Sequence, residues 1–138
     1  MNSNPVVPLA GGILLAVVFL VAGYGKLVAF AGTSGYLAKL GFPAPDLMTA
    51  LAIAVELGGA LLLIAGWHAR WAAWALILFV AVATFAAHRF WEFDASQYRN
   101  QMNHFLKNLA IVGGMMFVAA VGPGALSVDG MFRRPQYA

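Results

Sequence analysis

Residues 47–66 read Leu47-Met-Thr-Ala-Leu-Ala-Ile-Ala-Val-Glu56-Leu-Gly-Gly-Ala-Leu-Leu-Leu-Ile-Ala-Gly66. A helix that crosses a bilayer needs about 20 predominantly apolar residues, and this stretch supplies them with a single ionisable side chain, Glu56. Pro43, Pro45 and Asp46 stand just before it, where prolines and an acidic residue suit a helix start. Glu56 lies well inside, about 13 Å along the axis from Leu47 at 1.5 Å per residue, close to mid-bilayer. A carboxylate at that depth costs at least about 2.5–3.5 kcal/mol on insertion scales, so it requires a partner, a proton or water. Its neighbours on the same helical face are Ala52, Gly59, Ala60 and Leu63, mostly small enough to admit another helix closely, so Glu56 is expected to point into a bundle.

Working outward, the stretch from Trp71 to Phe90 follows a connection of only Trp67-His68-Ala69-Arg70, which forces an antiparallel hairpin. Val6 to Leu27 forms an earlier span; the segment Met1-Asn-Ser-Asn-Pro5 before it carries no basic residue, so a retained helix is expected rather than a cleaved signal. Phe105 to Val121 forms the last span and stops at Gly122-Pro123-Gly124. The fold expected is an all-α membrane protein, one domain over 1–138, an antiparallel four-transmembrane-helix bundle. Phe30, Thr33, Tyr36, Leu37 and Leu40 at helical spacing predict a short interfacial helix in the first loop. Arg89 to His104 mixes aromatic and charged residues, as expected of a connection among headgroups, and Ala125 to Ala138 reads as a short, loosely ordered polar tail.

Composition points the same way. Of 138 residues 62% are hydrophobic and 9% charged, against about 25% charged in ordinary globular domains. The mean hydropathy is +0.82. A net charge of +3 without a basic run gives no footprint for nucleic acid. The absence of cysteine excludes disulfides, thiolate catalysis, iron–sulfur clusters and thiolate zinc sites.

Several polar residues are expected to gather with Glu56. Lys26 ends the first span at the membrane face where the second begins, so it either reaches toward Glu56 or snorkels to the headgroups. Trp74, Ile77, Ala81, Thr84, His88 and Trp91 recur by three and four and predict one inward seam; His104, Asn108, Ile111 and Met115 predict another, with Lys107 beside it. The candidate ligand site is therefore Lys26, Glu56, Thr84, His88, Trp91, His104, Lys107 and Asn108, in an otherwise apolar pocket. Its chemistry suits a quinone, whose carbonyls take donors such as His or Lys and whose reduction takes up protons that His and Glu can supply. Plain helix pairing of Glu56 and interfacial anchoring of His88, His104 and Lys107 are the structural alternatives. Neither haem nor a metal is expected: the helices leave little room for a porphyrin, and no close ligand spacing is present. Ala54 with Gly58, and Ala110 with Gly114, have small-xxx-small spacing and are expected to pack helices.

Taken in order, Ala22-Gly-Tyr-Gly-Lys26-Leu27, Glu56-Leu-Gly-Gly59, Leu61-Leu-Leu-Ile-Ala-Gly66, Ala87-His-Arg-Phe-Trp91 and Lys107-Asn-Leu-Ala-Ile111, leading to Gly122-Pro-Gly124, resemble the DoxX family of small four-helix bacterial and archaeal membrane proteins. The resemblance covers about residues 8 to 130, and Lys26, Glu56, His88 and Lys107 match its recurrent pattern. It implies the inner (plasma) membrane and, by association with quinol oxidase and thiosulfate:quinone oxidoreductase membrane subunits, quinone-linked redox chemistry. It carries over no catalytic residue. The expectation is a membrane subunit or quinone-binding partner of an oxidoreductase, contacting lipid and a redox or respiratory protein, rather than a complete enzyme. The alternative is a structural or assembly subunit of a larger complex that binds only lipid.

Overall fold

The computed structural model describes residues 4–132. Its helices are α1 (Val6–Val28), α2 (Phe30–Lys39), α3 (Pro45–Ala65), α4 (Ala69–Ala87), α5 (Ala95–Val121) and the short α6 (Val128–Phe132), with a 3₁₀ turn at Phe90–Glu92. Four of them, α1, α3, the α4 segment and α5, are long and apolar enough to cross a membrane. The chain is thus an all-α membrane bundle. In it α3 packs against α1 and α4, and α5 packs against α4 and α1, so the four close into a ring.

Close approach is set by two glycines. A Cβ on Gly23 would lie 2.9 Å from the Leu57 side chain and 3.1 Å from Glu56 Cβ; one on Gly59 would lie 2.9 Å from Leu76. Gly23 lets α1 press on α3, and Gly59 lets α3 press on α4. The spacing signal at Ala54 and Gly58 does not mark a contact: Ala54 is exposed and Gly58 has open space where a side chain would stand. Gly114 does face a neighbour, Leu15 of α1.

Helix boundaries follow local chemistry. The α3 helix has Pro45 in its first turn, where the missing N–H costs nothing, and ends at Gly66 in the left-handed region (φ 62°, ψ 34°). The turn into α4 places His68 at φ 47°, and its amide, with that of Ala69, donates to the Asp129 carboxylate at 2.9 and 3.0 Å. An acid thus caps α4 from the far end of the chain, where partial positive charge gathers. The expected loose tail is in this part ordered: Asp129 N–H also donates to Gly66 O at 2.9 Å, and Ser127 is buried. The remaining tail, including Arg133 and Arg134, lies outside the described residues.

The expected loop 89–104 is also largely helix. Asp94 caps α5, accepting from Ser96 N at 3.0 Å and Gln97 N at 3.2 Å, so the helix begins at Ala95 rather than Phe105. Its first turns are polar, and hydropathy therefore reads them as loop. The interior seam of α4 differs as well: Ala69, Ala72, Ala73, Leu76, Val80 and Thr84 face inward, whereas Trp74 is 53% exposed. Small residues win the interior because α4 lies close to both α3 and α5.

Candidate functional site

At the end of the bundle away from the Gly66–Ala69 turn, the helices separate around a cavity of about 420 Å³. Its walls come from α1 (Val18, Phe19, Ala22, Lys26), α3 (Met48 to Glu56), α4 (Phe79 to His88) and α5 (Lys107, Asn108, Ile111). The α2 helix completes it with Thr33, Tyr36, Leu37 and Leu40. That helix follows α1 after a backbone break at Ala29 (φ −104°, ψ 41°) and is tied to α3 by a hydrogen bond from the buried Ser34 hydroxyl to the Asp46 carboxylate. The expected interfacial helix therefore also covers the cavity.

The cavity has two polar walls in an apolar lining. On the first, Lys26 Nζ donates to Glu56 Oε1 at 2.9 Å and lies 2.8 Å from Oε2. Glu56 is 3% exposed, and no well-aligned hydrogen bond reaches Oε2. Lys26 thus turns inward rather than snorkelling, and its side chain keeps 29% exposure. The pair answers the cost of a mid-helix carboxylate with a directed countercharge.

The second wall is built where α4 ends. His88 is the residue after the last turn, its N–H donating to Thr84 O at 2.9 Å, and its backbone leaves the helix (φ −125°, ψ 36°). Its Nδ1 lies 2.7 Å from Gln101 Oε1 of α5, and its ring stacks on His104 with centroids 4.9 Å apart and 22° between planes. Lys107 Nζ donates to His104 Nδ1 at 3.3 Å. Asn108 Nδ2 donates to Thr84 Oγ1 at 2.9 Å, and that hydroxyl donates to Val80 O at 2.6 Å.

Of the eight residues expected at the site, Lys26, Glu56, His88, Lys107 and Asn108 line the cavity. Thr84 and His104 stand behind them, holding Asn108 and His88 in place. Trp91 does not belong there. The helical periodicity that would bring it inward stops at Ala87, and the indole sits in the 3₁₀ turn, 53% exposed, edge-on to Phe90 and Phe105. Sequence reasoning missed Gln101. With α5 recognised as helical from Ala95, Gln101, His104 and Asn108 fall at i, i+3 and i+7 on one face, which is the signal that finds it.

A more open recess of about 230 Å³ adjoins the cavity, sharing Leu40, Phe42 and Ala86 and bounded also by Pro43, Phe85 and Arg89. It lies between the α2–α3 connection and the end of α4 and provides a side opening with polar and apolar lining in similar measure.

The sequence profile of the DoxX family matches residues 7–89. The chain is 32% identical over 127 residues to inner membrane protein YphA of Escherichia coli (strain K12), covering 92% of this chain and 91% of that protein. It is 34% identical over 128 residues to inner membrane protein YqjF of the same organism, covering 91% and 92%. A third match, 36% identical over 70 residues, is to the Surfeit locus protein 4 homolog of Schizosaccharomyces pombe, covering 49% of this chain and 23% of that one. No solved structure matches. The four apolar spans and the two bacterial relatives make this a multi-pass protein of the inner membrane.

Proposed function

This chain belongs to the DoxX family, and we propose that it serves as a membrane subunit or quinone-binding partner of a quinone-linked oxidoreductase, receiving electrons through another protein. The observation that carries the reading is the cavity of about 420 Å³ between two polar walls. Ligand pockets run to about 300–1,000 Å³, mostly apolar with a few directed polar groups, and a substituted quinone ring falls within that range. Lys26 on one wall and Lys107 and Asn108 on the other offer donors to carbonyl oxygens, while Phe19 and Phe79 give the ring apolar surroundings. An isoprenoid tail leaves through the side opening at Phe42 and Ala86 into lipid.

The chain has no thiol to relay electrons, and in this reading the donor is a partner protein docked on the bundle. The test is quinone occupancy after purification in mild detergent with added quinone, wild type against Lys107→Met, which removes one of the named carbonyl donors, at matched helicity and melting temperature. The expected result is bound quinone in the wild type and its loss in the variant. Equal occupancy in both, or none in the wild type, overturns this reading and leaves an assembly subunit that binds only lipid.

A further inference from the structure

The hydrogen bond between His88 and Gln101 has a direction, and the direction fixes what His88 presents to the cavity. An amide oxygen only accepts, so the 2.7 Å contact with Gln101 Oε1 puts a proton on His88 Nδ1. In the neutral ring the other nitrogen, Nε2, is then unprotonated and accepts. The stacked neighbour has the opposite arrangement. Lysine only donates, so the 3.3 Å contact from Lys107 makes His104 Nδ1 the acceptor and leaves its proton on Nε2. Two stacked rings at 4.9 Å are therefore held in complementary tautomers by two residues of α5, Gln101 and Lys107.

We infer that Gln101 fixes His88 as a hydrogen-bond acceptor, and that the cavity for this reason takes the hydroxyl-bearing, reduced form of an aromatic headgroup in preference to the oxidised carbonyl form. The inference rests on the headgroup reading above and refines its ligand. On the cavity lining His88 Nε2 and the Glu56 carboxylate, whose Oε2 has no well-aligned donor, only accept; Lys26 and Lys107 only donate; and Thr33, Tyr36 and Asn108 can do either. A quinone carries acceptors only. It satisfies the lysines, but a carbonyl placed beside His88 sets acceptor against acceptor in an apolar space, which leaves both unpaired. A quinol hydroxyl donates and accepts at once, so one group gives its proton to His88 Nε2 and receives a bond from a lysine. Gln101 acts only through His88 and is a positioning residue.

Two measurements test this. In the wild type, ¹⁵N spectra of histidine-labelled protein in detergent, assigned with His68 and His104 variants, should show His88 protonated at Nδ1; Gln101→Met should convert it to a tautomer mixture. Affinities for a decyl-tailed benzoquinone and the benzoquinol obtained by reducing it should then be measured anaerobically by equilibrium dialysis. The quinol should bind the wild type roughly tenfold more tightly, and Gln101→Met should narrow the difference to about twofold or less while still binding the quinone. A wild-type His88 protonated at Nε2, or equal affinity for the two forms, overturns the inference and leaves the headgroup reading standing. Binding of neither form removes the headgroup reading and the ligand preference together, and the tautomer spectrum still decides the role of Gln101.

Discussion

Toward the turn from α3 into α4, Gly59 meets Leu76 so closely that a Cβ there would force the Leu76 side chain to shift. Ala69, Ala73, Leu63 and Met115 are fully or almost fully buried, and the turn is capped by Asp129 from the far end of the chain. At the other end the same helices stand apart around about 420 Å³, lined in part by a lysine–glutamate pair, a histidine and an asparagine. The closed end contains what a small bundle needs: small residues at crossings, large apolar side chains between them, and satisfied backbone at the turn. Nothing in that recipe calls for a mid-helix carboxylate or a stacked histidine pair. The polar groups are concentrated where packing is given up, and a polar void in a membrane bundle costs stability unless something occupies it. That contrast separates the part of the chain that folds it from the part available for a ligand.

The contrast can be sharpened by substitutions at each end. The largest effect is expected at the open end. Glu56→Gln leaves Lys26 turned into the bundle without its countercharge and should lower stability by about 3 kcal/mol. Adding Lys26→Met should restore part of that loss, because stranding a buried charge costs more than removing the pair. Thermal melts of the two singles and the double in one detergent decide it; purely additive losses would mean that the ion pair is not coupled.

At the closed end, Gly59→Val places methyl groups where Leu76 already stands and should cost about 2 kcal/mol. The same change at Gly58, which has open space, should cost well under half as much. Equal losses at the two positions would break the claim that Gly59 sets the α3–α4 distance. Smaller again, Asp129→Ala removes the cap on His68 and Ala69 and should lower the melting free energy by about 1 kcal/mol, with amide exchange accelerated at the start of α4. Unchanged exchange there would show that α6 is not a clasp.

The smallest effect is a pH dependence at the start of α5. Hydrogen bonds from the Ser96 hydroxyl and from the backbone N–H groups of Gln97 and Ser96 hold the Asp94 carboxyl below the usual carboxylate range. A lowered folded-state value means that the cap contributes fully above the unfolded carboxylate value, about 3.9, and is lost as pH falls through the lower folded one. Amide protection at Ser96 and Gln97 should therefore hold at neutral pH and fall in strong acid; Asp94→Asn should flatten the profile. A protection profile that is flat in the native chain would contradict the cap.

The four spans were legible because hydropathy, a four-residue turn and a Gly-Pro-Gly stop are local signals that a single sequence carries. Glu56 was legible for the same reason, since one carboxylate in an apolar helix stands out against its cost, and Lys26 followed from antiparallel geometry. What escaped was held by contacts across the chain or hidden by polarity. The first turns of α5 look like a loop until Asp94 is recognised as a cap, and Gln101 disappears with them. The seam through Trp74 and Trp91 failed because periodicity alone does not tell the face that meets lipid from the face that meets a helix. Here the interior beside α4 belongs to Ala72, Ala73 and Gly59, and the indoles of Trp71, Trp74 and Trp91 turn outward. Asp129, sixty residues from the helix it caps, has no local signature.

The central claim, that the open end holds an aromatic headgroup between its two polar walls, is tested most directly by photolabelling in native membranes with an azido-substituted benzoquinone, with modified residues mapped by mass spectrometry. Label is expected on the cavity segments, Tyr36 to Leu40, Met48 to Glu56 and Val80 to His88, suppressed by excess unlabelled quinone. Label confined to the outward face of α4 at Trp71, Trp74 and Leu78, or label that excess quinone does not displace, would contradict it.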